Sequence, residues 1–170
     1  MISVIIPTYN EKKNIEKILI KLEAIKIVSE IIFVDDHSND GTYDEILKYK
    51  KYRAIGYLRK SKKKDLSKSV LYGVKKSKNK NILVMDCDLQ HNPKYIINMW
   101  EKFNNSDYEI IIANRFQNEK IIGNLGYFRS FISLLTISLI NLILGKRSQD
   151  PLSGFFLCKK SIILKYQKNF

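Results

Sequence analysis

Two carboxylates and an amide lie close together at the end of one apolar stretch. Ile82-Leu83-Val84-Met85 is a continuous apolar run, and Asp86-Cys87-Asp88-Leu89-Gln90 follows it directly. In an extended chain alternate side chains point the same way, which would place Asp86, Asp88 and Gln90 on one face at the end of a strand. Hard oxygen ligands of this kind suit Mg²⁺ or Mn²⁺, above all when a diphosphate provides further oxygens. The stretch predicts a divalent metal site, although an isolated Asp-x-Asp also occurs in solvated turns.

Polar residues follow two other apolar runs that we predict to be strands. Residues 2–6 end at Pro7-Thr8-Tyr9, and residues 30–34 end at Asp35-Asp36. Apolar residues at helical spacing separate these runs, which indicates an α/β fold with a mostly parallel central sheet. Ligands of such folds bind at the carboxyl ends of the strands, so we expect the three polar groups to converge on one site.

The same patterns predict the remaining elements. Strands are expected at 2–6, 30–34, 54–58, 82–85 and 109–113, and helices around 15–25, 46–47, 66–74 and 92–103. An amphipathic stretch at about 125–144 follows, and the chain ends in an apolar run at 155–158 and a short helical tail. Asn10 is placed to cap the first helix, and Asn92-Pro93 to open the fourth. Because the chain contains no repeat and no linker, we predict one domain over residues 1–170.

The chain is strongly basic, with 30 Lys and Arg against 17 Asp and Glu and a net charge of +13. The charge favours an anionic partner, such as a nucleotide diphosphate, nucleic acid or an acidic membrane surface, but a solvated lysine-rich surface gives the same count. A nucleic-acid-binding module is disfavoured because no recognition motif is present and the aromatic residues are not interleaved with the lysine runs. A dinucleotide-dependent oxidoreductase is disfavoured because no Gly-x-Gly-x-x-Gly follows the first strand.

Cysteine content and apolar stretches indicate the compartment. Cys87 and Cys158 lie in apolar runs and form neither a disulfide framework nor a zinc pattern, so we predict buried thiols in a reduced, cytoplasmic protein. The N-terminus has no cationic leader, and the longest apolar stretch, 131–144, is too short to span a bilayer. Apolar residues between 128 and 144 form one helical stripe, which predicts either a helix lying on a membrane surface or one packed onto the sheet or a partner.

Five motifs in chain order resemble those of glycosyltransferase family 2, whose nucleotide-sugar-binding domain has the Rossmann-like GT-A fold. They are Val4-Ile5-Ile6-Pro7-Thr8-Tyr9-Asn10-Glu11, Val34-Asp35-Asp36-His37-Ser38-Asn39-Asp40-Gly41-Thr42, Met85-Asp86-Cys87-Asp88-Leu89-Gln90-His91-Asn92-Pro93, Asn114-Arg115-Phe116 and Asp150-Pro151-Leu152-Ser153-Gly154-Phe155. The last motif, together with Gln90 after the carboxylates, most resembles the dolichol-phosphate mannosyltransferase branch, which glycosylates a polyprenyl phosphate.

The resemblance implies a set of residues for the sugar donor. The nucleotide base and ribose would be contacted by Pro7, Tyr9 and Glu11, with Asp36 near the base. Asp86 would bond to the nucleotide or the metal, and the Mg²⁺ or Mn²⁺ that bridges the diphosphate would be held by Asp86, Asp88 and Gln90.

The resemblance also implies residues for the acceptor and the reaction. Arg115 and Arg129 would hold the acceptor or donor phosphates, with Ser153 nearby, and Asp88 and Arg115 would take part in catalysis. Because a phosphate acceptor is already anionic, it needs positioning rather than a base; if the acceptor were a sugar hydroxyl, Asp150 would be the candidate base, although the neighbouring Pro151 also suits a structural turn.

The predicted function is metal-dependent transfer of a sugar, with inversion, from a nucleotide diphosphate sugar of the GDP-mannose or UDP-glucose type to a polyprenyl or dolichyl phosphate. Peripheral contact with the cytoplasmic face of a membrane and a membrane-anchoring subunit fit this prediction, and nucleic acid does not. Two alternatives are a nucleotide-sugar-binding remnant with little activity and a family 2 transferase that acts on a saccharide hydroxyl.

Two departures from the family pattern bear on these alternatives. In the family, glycines usually begin the helix that follows a basic run. Here the basic run is Arg59 to Lys64, and Lys64-Asp65-Leu66-Ser67 takes the place of the glycines. The family also continues for several tens of residues beyond the position of Phe170, so we predict that the chain is truncated at its C-terminus.

Overall fold

The computed structural model describes residues 1–50, 52–59, 63–90, 92–113 and 153–167. Within these residues six strands form one sheet: β1 (Ile2–Thr8), β2 (Val28–Asp35), β3 (Ala54–Leu58), β4 (Asn81–Val84), β5 (Ile110–Ile112) and β6 (Phe156–Lys159). Their order is β3-β2-β1-β4-β6-β5. The first four strands are parallel, and β6 runs antiparallel to both of its neighbours. The predicted α/β fold with a mostly parallel sheet is confirmed.

Helices cover both faces of this sheet. They are α1 (Lys12–Glu23), α2 (Thr42–Lys48), α3 (Leu66–Lys76), α4 (Tyr95–Asn104) and α5 (Lys160–Lys165). Buried apolar side chains of α1, α2 and α4 belong to one core cluster, and those of α3 and α5 belong to a second. Along β1, Val4 and Ile6 point into the first cluster while Ile5 points into the second. The strands are continuously apolar because both of their faces are buried.

Two predicted helix starts are wrong. Asn10 does not cap α1, because it has a φ of 57° and its side chain instead accepts a hydrogen bond from the Asn39 backbone at 3.1 Å. Asn92 and Pro93 precede α4, which begins at Tyr95. The Asn92 carboxamide oxygen accepts from the Lys94 backbone N–H at 3.1 Å, which forms a local turn before the helix.

Both cysteines are buried free thiols, as predicted: Cys87 is 2% exposed and Cys158 is fully buried. Burial raises the pKa of the Cys158 thiol to about 12. The pKa of Cys87 is raised as well, first by burial and then by the charges of Glu11, Asp88 and Asp86. Neither thiol is therefore ionised near neutral pH, which fits two small core residues.

The sequence analysis made two predictions about the membrane: no apolar stretch is long enough to span it, and the apolar stripe at 128–144 lies on its surface or packs onto the sheet or a partner. Among the helices that the structure describes, none is long and apolar enough to cross a bilayer. The apolar stripe at 128–144 lies outside the described residues, and so do Arg115, Arg129 and Asp150.

Candidate active site

The carboxyl ends of β1, β2 and β4 open onto a cleft with a volume of about 380 Å³. The three polar groups that follow these strands converge there, as the parallel sheet predicts. Among the described residues, its wall is formed by Pro7, Thr8, Tyr9, Glu11, Asp36, Lys64, Asp65, Leu66, Ser69, Asp86, Cys87 and Asp88. Every residue that we assigned to the nucleotide is on this wall.

Asp86 and Asp88 reach the cleft from a turn rather than from an extended strand. β4 ends at Val84, and Leu89 has a φ of 61°, which reverses the chain and lets its side chain pack against the first core cluster. The Gln90 backbone N–H donates to Asp88 Oδ1 at 3.1 Å within this turn. The expectation of an alternating, extended segment is therefore wrong, and Gln90 does not appear on the cleft wall beside Asp86 and Asp88.

The carboxylates of this turn suit a metal that is shared with a bound diphosphate. Among the described residues, no three His, Cys, Asp or Glu side chains are grouped closely enough to hold a metal ion. Asp86 is half-buried and Asp88 is exposed, and both face the cleft. Mg²⁺ is commonly bound by one or two carboxylates together with substrate phosphates and water, so this pair fits such an ion.

Asp35 stabilises the rim of the cleft and is not part of its wall. Its side chain is fully buried, and Oδ1 accepts from the Ser38 hydroxyl at 2.6 Å and from the Thr8 hydroxyl at 3.2 Å. Oδ2 accepts from the Ser38 backbone N–H at 3.0 Å. These bonds join the ends of β1 and β2, so Asp35 holds the loop that presents Asp36.

Asp36 is buried in the cleft wall, and protein groups bind both of its oxygens. Oδ1 accepts from Arg59 Nε at 2.9 Å and also from Arg59 Nη2, while Oδ2 accepts from the Asp65 backbone N–H at 2.7 Å. Arg59 Nη2 also donates to the Lys63 carbonyl. Asp36 thus holds Arg59 and the Asp65 backbone beside the cleft.

We did not predict a role for Arg59, which the sequence shows only as the start of a basic run. The parallel register pairs Asp35 with Leu58, so the next residue of each strand, Asp36 and Arg59, also face each other. The sequence contains part of the signal, because Asp35-Asp36 follows the predicted strand 30–34 and Arg59 follows the predicted strand 54–58, but it does not show that these two strands are neighbours.

Lys64 and Tyr9 form a second contact between this basic segment and the end of β1. Lys64 Nζ lies 3.7 Å from the centroid of the Tyr9 ring, and the same ammonium donates to the Tyr9 hydroxyl. Among the described residues on the wall, Lys64 is the cation, and the acidic residues are Glu11, Asp36, Asp65, Asp86 and Asp88. The part of the cleft that the structure describes combines an aromatic ring, one ammonium group and several carboxylates.

Asp40 joins the loops that follow β1 and β2. Its carboxylate accepts from the Thr42 backbone at 2.9 Å, from the Thr42 hydroxyl at 2.5 Å and from the Lys12 backbone at 3.2 Å. Burial tends to raise the pKa of Asp40, but these hydrogen bonds outweigh it and hold the pKa below its usual value of 3.8. Thr42 in turn accepts from the Glu11 backbone N–H at 2.9 Å. The network fixes Glu11 at the mouth of the cleft.

Of the residues predicted for the acceptor site, Ser153 lies within the described part of the chain. It is 9% exposed, and its hydroxyl accepts from the Phe155 backbone N–H at 3.2 Å. The following residue, Gly154, lies against the carboxylate of Asp86. The segment at the start of β6 therefore reaches the edge of the cleft.

The sheet is mostly parallel and has helices on both faces, and polar groups from three strand ends meet in one cleft. These features define an α/β domain of the nucleotide-binding type. The sequence matches glycosyl transferase family 2 over residues 3–166, and the chain belongs to that family.

Two relatives carry the same name. A dolichol-phosphate mannosyltransferase from Pyrococcus furiosus is 34% identical over 95% of this chain and 47% of its own length. A dolichol-phosphate mannosyltransferase from Saccharomyces cerevisiae is 30% identical over 98% of this chain and 62% of its own length. The chain thus spans roughly half to three fifths of the length of these relatives.

Solved structures share the GT-A fold at lower sequence identity. Glucosyl-3-phosphoglycerate synthase from Mycobacterium tuberculosis, crystallised with Mn²⁺, uridine diphosphate and phosphoglyceric acid, has a TM-score of 0.77 at 15% identity, over 96% of this chain and 57% of that one. Mannosyl-3-phosphoglycerate synthase from Rubrobacter xylanophilus has a TM-score of 0.77 at 16% identity, over 96% and 54% of the two chains.

Proposed function

We propose that this chain is the catalytic domain of a metal-dependent glycosyltransferase that moves a sugar from a nucleotide diphosphate sugar to a polyprenyl phosphate. The observation that carries the proposal is the cleft in a family 2 domain, where Asp86 and Asp88 lie on one wall with Tyr9 and Asp36. The two relatives named dolichol-phosphate mannosyltransferase support the choice of a lipid phosphate acceptor.

The donor nucleotide would bind across the ends of β1 and β2. The half-exposed ring of Tyr9 offers a flat apolar face, and Pro7 and Glu11 lie beside it on the wall. Because Arg59 and the Asp65 backbone already bind its carboxylate, Asp36 would act on the base mainly by holding the segment around Lys64 in place. Lys64 would then lie within reach of the anionic part of the donor.

Asp86 and Asp88 would hold Mg²⁺ or Mn²⁺ at the diphosphate, with Gln90 as the more distant third candidate from the same turn. A bound metal supplies charge neutralisation on the departing diphosphate. The carboxylates of the turn would hold this charge beside the donor, and Cys87 between them, which is buried, would take no part.

The acceptor phosphate would approach from the side of Ser153, with Arg115 and Arg129 as its cations. A phosphate monoester is already anionic at neutral pH, so the protein has to position it and does not need to remove a proton. The planar donor forks of two arginines suit that task. One acceptor oxygen would bond to the anomeric carbon while that carbon's bond to the diphosphate breaks, which inverts the anomeric centre.

A lipid phosphate has to be met at a membrane, so the proposal includes contact with a membrane surface on the cytoplasmic side. The apolar stripe at 128–144 and the basic pair Lys146-Arg147 that follows it are the part of the sequence that fits such contact. Binding to anionic vesicles that weakens on charge reversal of this pair would support direct contact. If the wild-type chain ignores the vesicles, contact would require a membrane-anchoring subunit.

Calorimetry with GDP and with UDP tests the proposal. We expect binding with Mn²⁺ or Mg²⁺ to be much tighter than in EDTA for at least one of the two nucleotides, and Asp88→Ala to remove that difference. Asp107→Ala is the matched control. Asp107 is exposed and directly precedes the segment that leads into β5, an edge strand of the sheet that lies two strands away from β4. Metal-independent binding that Asp88→Ala leaves unchanged would contradict the metal site, and no binding of either nucleotide would contradict the proposed function.

A further inference from the structure

We infer that Gly154 is a positioning residue for Asp86. The lack of a side chain at position 154 lets the Asp86 carboxylate lie against the backbone that leads into β6, and this contact sets the direction in which Asp86 faces the cleft. The consequence for metal binding rests on the proposed function, whereas the contact itself does not.

Strand register brings the two residues together. β4 and β6 are antiparallel, with Leu83 opposite Leu157 and Val84 opposite Phe156. Asp86 follows this ladder by two residues and Gly154 precedes it by two, so the chain leaves the two residues next to each other at its end, where the Asp86 carboxylate contacts Gly154.

The carboxylate fills the space that a side chain at position 154 would need. A Cβ atom on Gly154 would lie 2.6 Å from Asp86 Oδ2, 2.9 Å from Oδ1 and 3.0 Å from Cγ. All three distances are shorter than ordinary van der Waals contacts, so alanine and the present position of the carboxylate exclude each other.

The backbone conformation does not require glycine at this position. Among the described glycines, Gly41 is the one with a positive φ, at 83°, and Gly154 has no left-handed conformation to maintain. The need for glycine at position 154 is therefore one of space, and the atoms that take the space belong to Asp86.

Of the two partners, Asp86 is the one that would move. Gly154 is followed by Phe155, which is fully buried, and the Phe155 carbonyl accepts from the Ala113 backbone at 2.9 Å. The Ser153 hydroxyl holds the other side of Gly154 through the Phe155 N–H. Asp86 is half-buried in a turn that has left the sheet. A methyl group at position 154 would thus push the carboxylate away from its present direction relative to Asp88.

The first test measures affinity in Gly154→Ala. Groups that orient a metal ligand typically change metal affinity by about 10- to 100-fold when they are mutated, so we expect a loss of that size for Mn²⁺ together with GDP or UDP. Gly56→Ala is the matched control, because its Cβ would lie 2.7 Å from Ile46 Cγ2, between β3 and α2. It should lower the midpoint of urea unfolding and leave nucleotide affinity unchanged.

The second test is a thermodynamic cycle that needs no ligand. Gly154→Ala should lower the unfolding midpoint when Asp86 is present and have little effect in an Asp86→Ala background, because the opposing carboxylate is then gone. Equal losses in both backgrounds, or Mn²⁺-dependent affinity that survives Gly154→Ala, would overturn the inference. If the wild type binds neither nucleotide with metal, the proposed function fails, and the cycle still decides whether Gly154 positions Asp86.

Discussion

The guanidinium of Arg59 closes over the carboxylate of Asp36 in the wall of the cleft, with only 7% and 8% of the two side chains exposed. The contact has two hydrogen bonds to Oδ1, and the opposite oxygen accepts from the Asp65 backbone. The pair therefore joins the end of β2 to the segment that leads into α3. The pair thus connects the sheet to the wall of the cleft.

Arg59→Met should be strongly destabilising because it leaves the Asp36 charge buried without its partner. Removal of one member of a buried ion pair costs about 3–5 kcal/mol, which urea unfolding can measure. The double variant Asp36→Asn with Arg59→Met should lose less than the sum of its single variants, since neither charge then remains. Additive losses would show that the two side chains do not depend on each other.

Lys48→Met is the control for this comparison. Lys48 pairs with Glu45 at 2.7 Å, but 64% of its side chain is exposed. Exposed ion pairs contribute little to stability because water and salt screen them, so this variant should unfold close to the wild type.

Lys64→Met should weaken nucleotide binding. Lys64 is the cation on the described cleft wall, where five carboxylates otherwise repel a diphosphate. A hydrogen bond to a charged group contributes about 1.5–3 kcal/mol, which corresponds to a loss of affinity of about tenfold or more. The wild type should also lose more affinity than the variant when salt is added, since salt screens the attraction.

Lys68→Met removes the same charge from the same region and serves as the control. Lys68 is 53% exposed and lies 3.3 Å from Asp65, on α3 and not on the cleft wall. If Lys68→Met loses as much nucleotide affinity as Lys64→Met, the loss would reflect general charge and not a contact in the cleft.

Acid should weaken the hydrogen bonds of the Asp40 carboxylate, which link the loops that follow β1 and β2. Its pKa is lower in the folded chain than its usual value of 3.8, so the unfolded chain binds more protons in this range and stability rises with pH there. The contribution of Asp40 is fully present above that value and is lost as the pH falls through the lower, folded pKa.

Asp40→Ala should therefore be less stable than the wild type at neutral pH, and the difference should shrink in acid. Thermal unfolding from pH 7 down to pH 2.5 checks this. A constant difference between the two proteins across that range would mean that the carboxylate does not stabilise the loops through its charge.

The sheet could be predicted from the sequence because its strands are buried on both faces. Ile5 and Ile6 point to opposite faces and are both fully buried, so the strand appears in the sequence as one apolar run. The position of β6 between β4 and β5 could not be predicted in this way. It depends on pairing with strands that lie far away along the chain, and the local pattern contains no information on the partner.

The cleft residues were predicted better than their geometry. Asp86 and Asp88 face the same cleft, but a turn brings them there, because Leu89 returns to the core and the strand ends at Val84. The same limit applies to Gly154, whose partner becomes visible only when β4 and β6 are in register. In both cases tertiary contacts decide where a side chain points.

The acceptor should be a phosphate and not a hydroxyl. On the described cleft wall Asp86 and Asp88 suit a metal, and Arg59 and the Asp65 backbone already bind Asp36. The two other carboxylates of the wall also have partners, since Glu11 accepts from the Asn14 side chain at 2.6 Å and Asp65 from the Lys68 backbone at 3.0 Å. With the chain as it stands, a polyprenyl phosphate should be glycosylated in the presence of Mn²⁺ or Mg²⁺, while the free polyprenol and simple sugars should not react. Product formation can be followed with a radiolabelled sugar donor. Transfer to a sugar hydroxyl that is lost in Asp150→Asn would assign the chain to the saccharide-transferring branch, with Asp150 as the base.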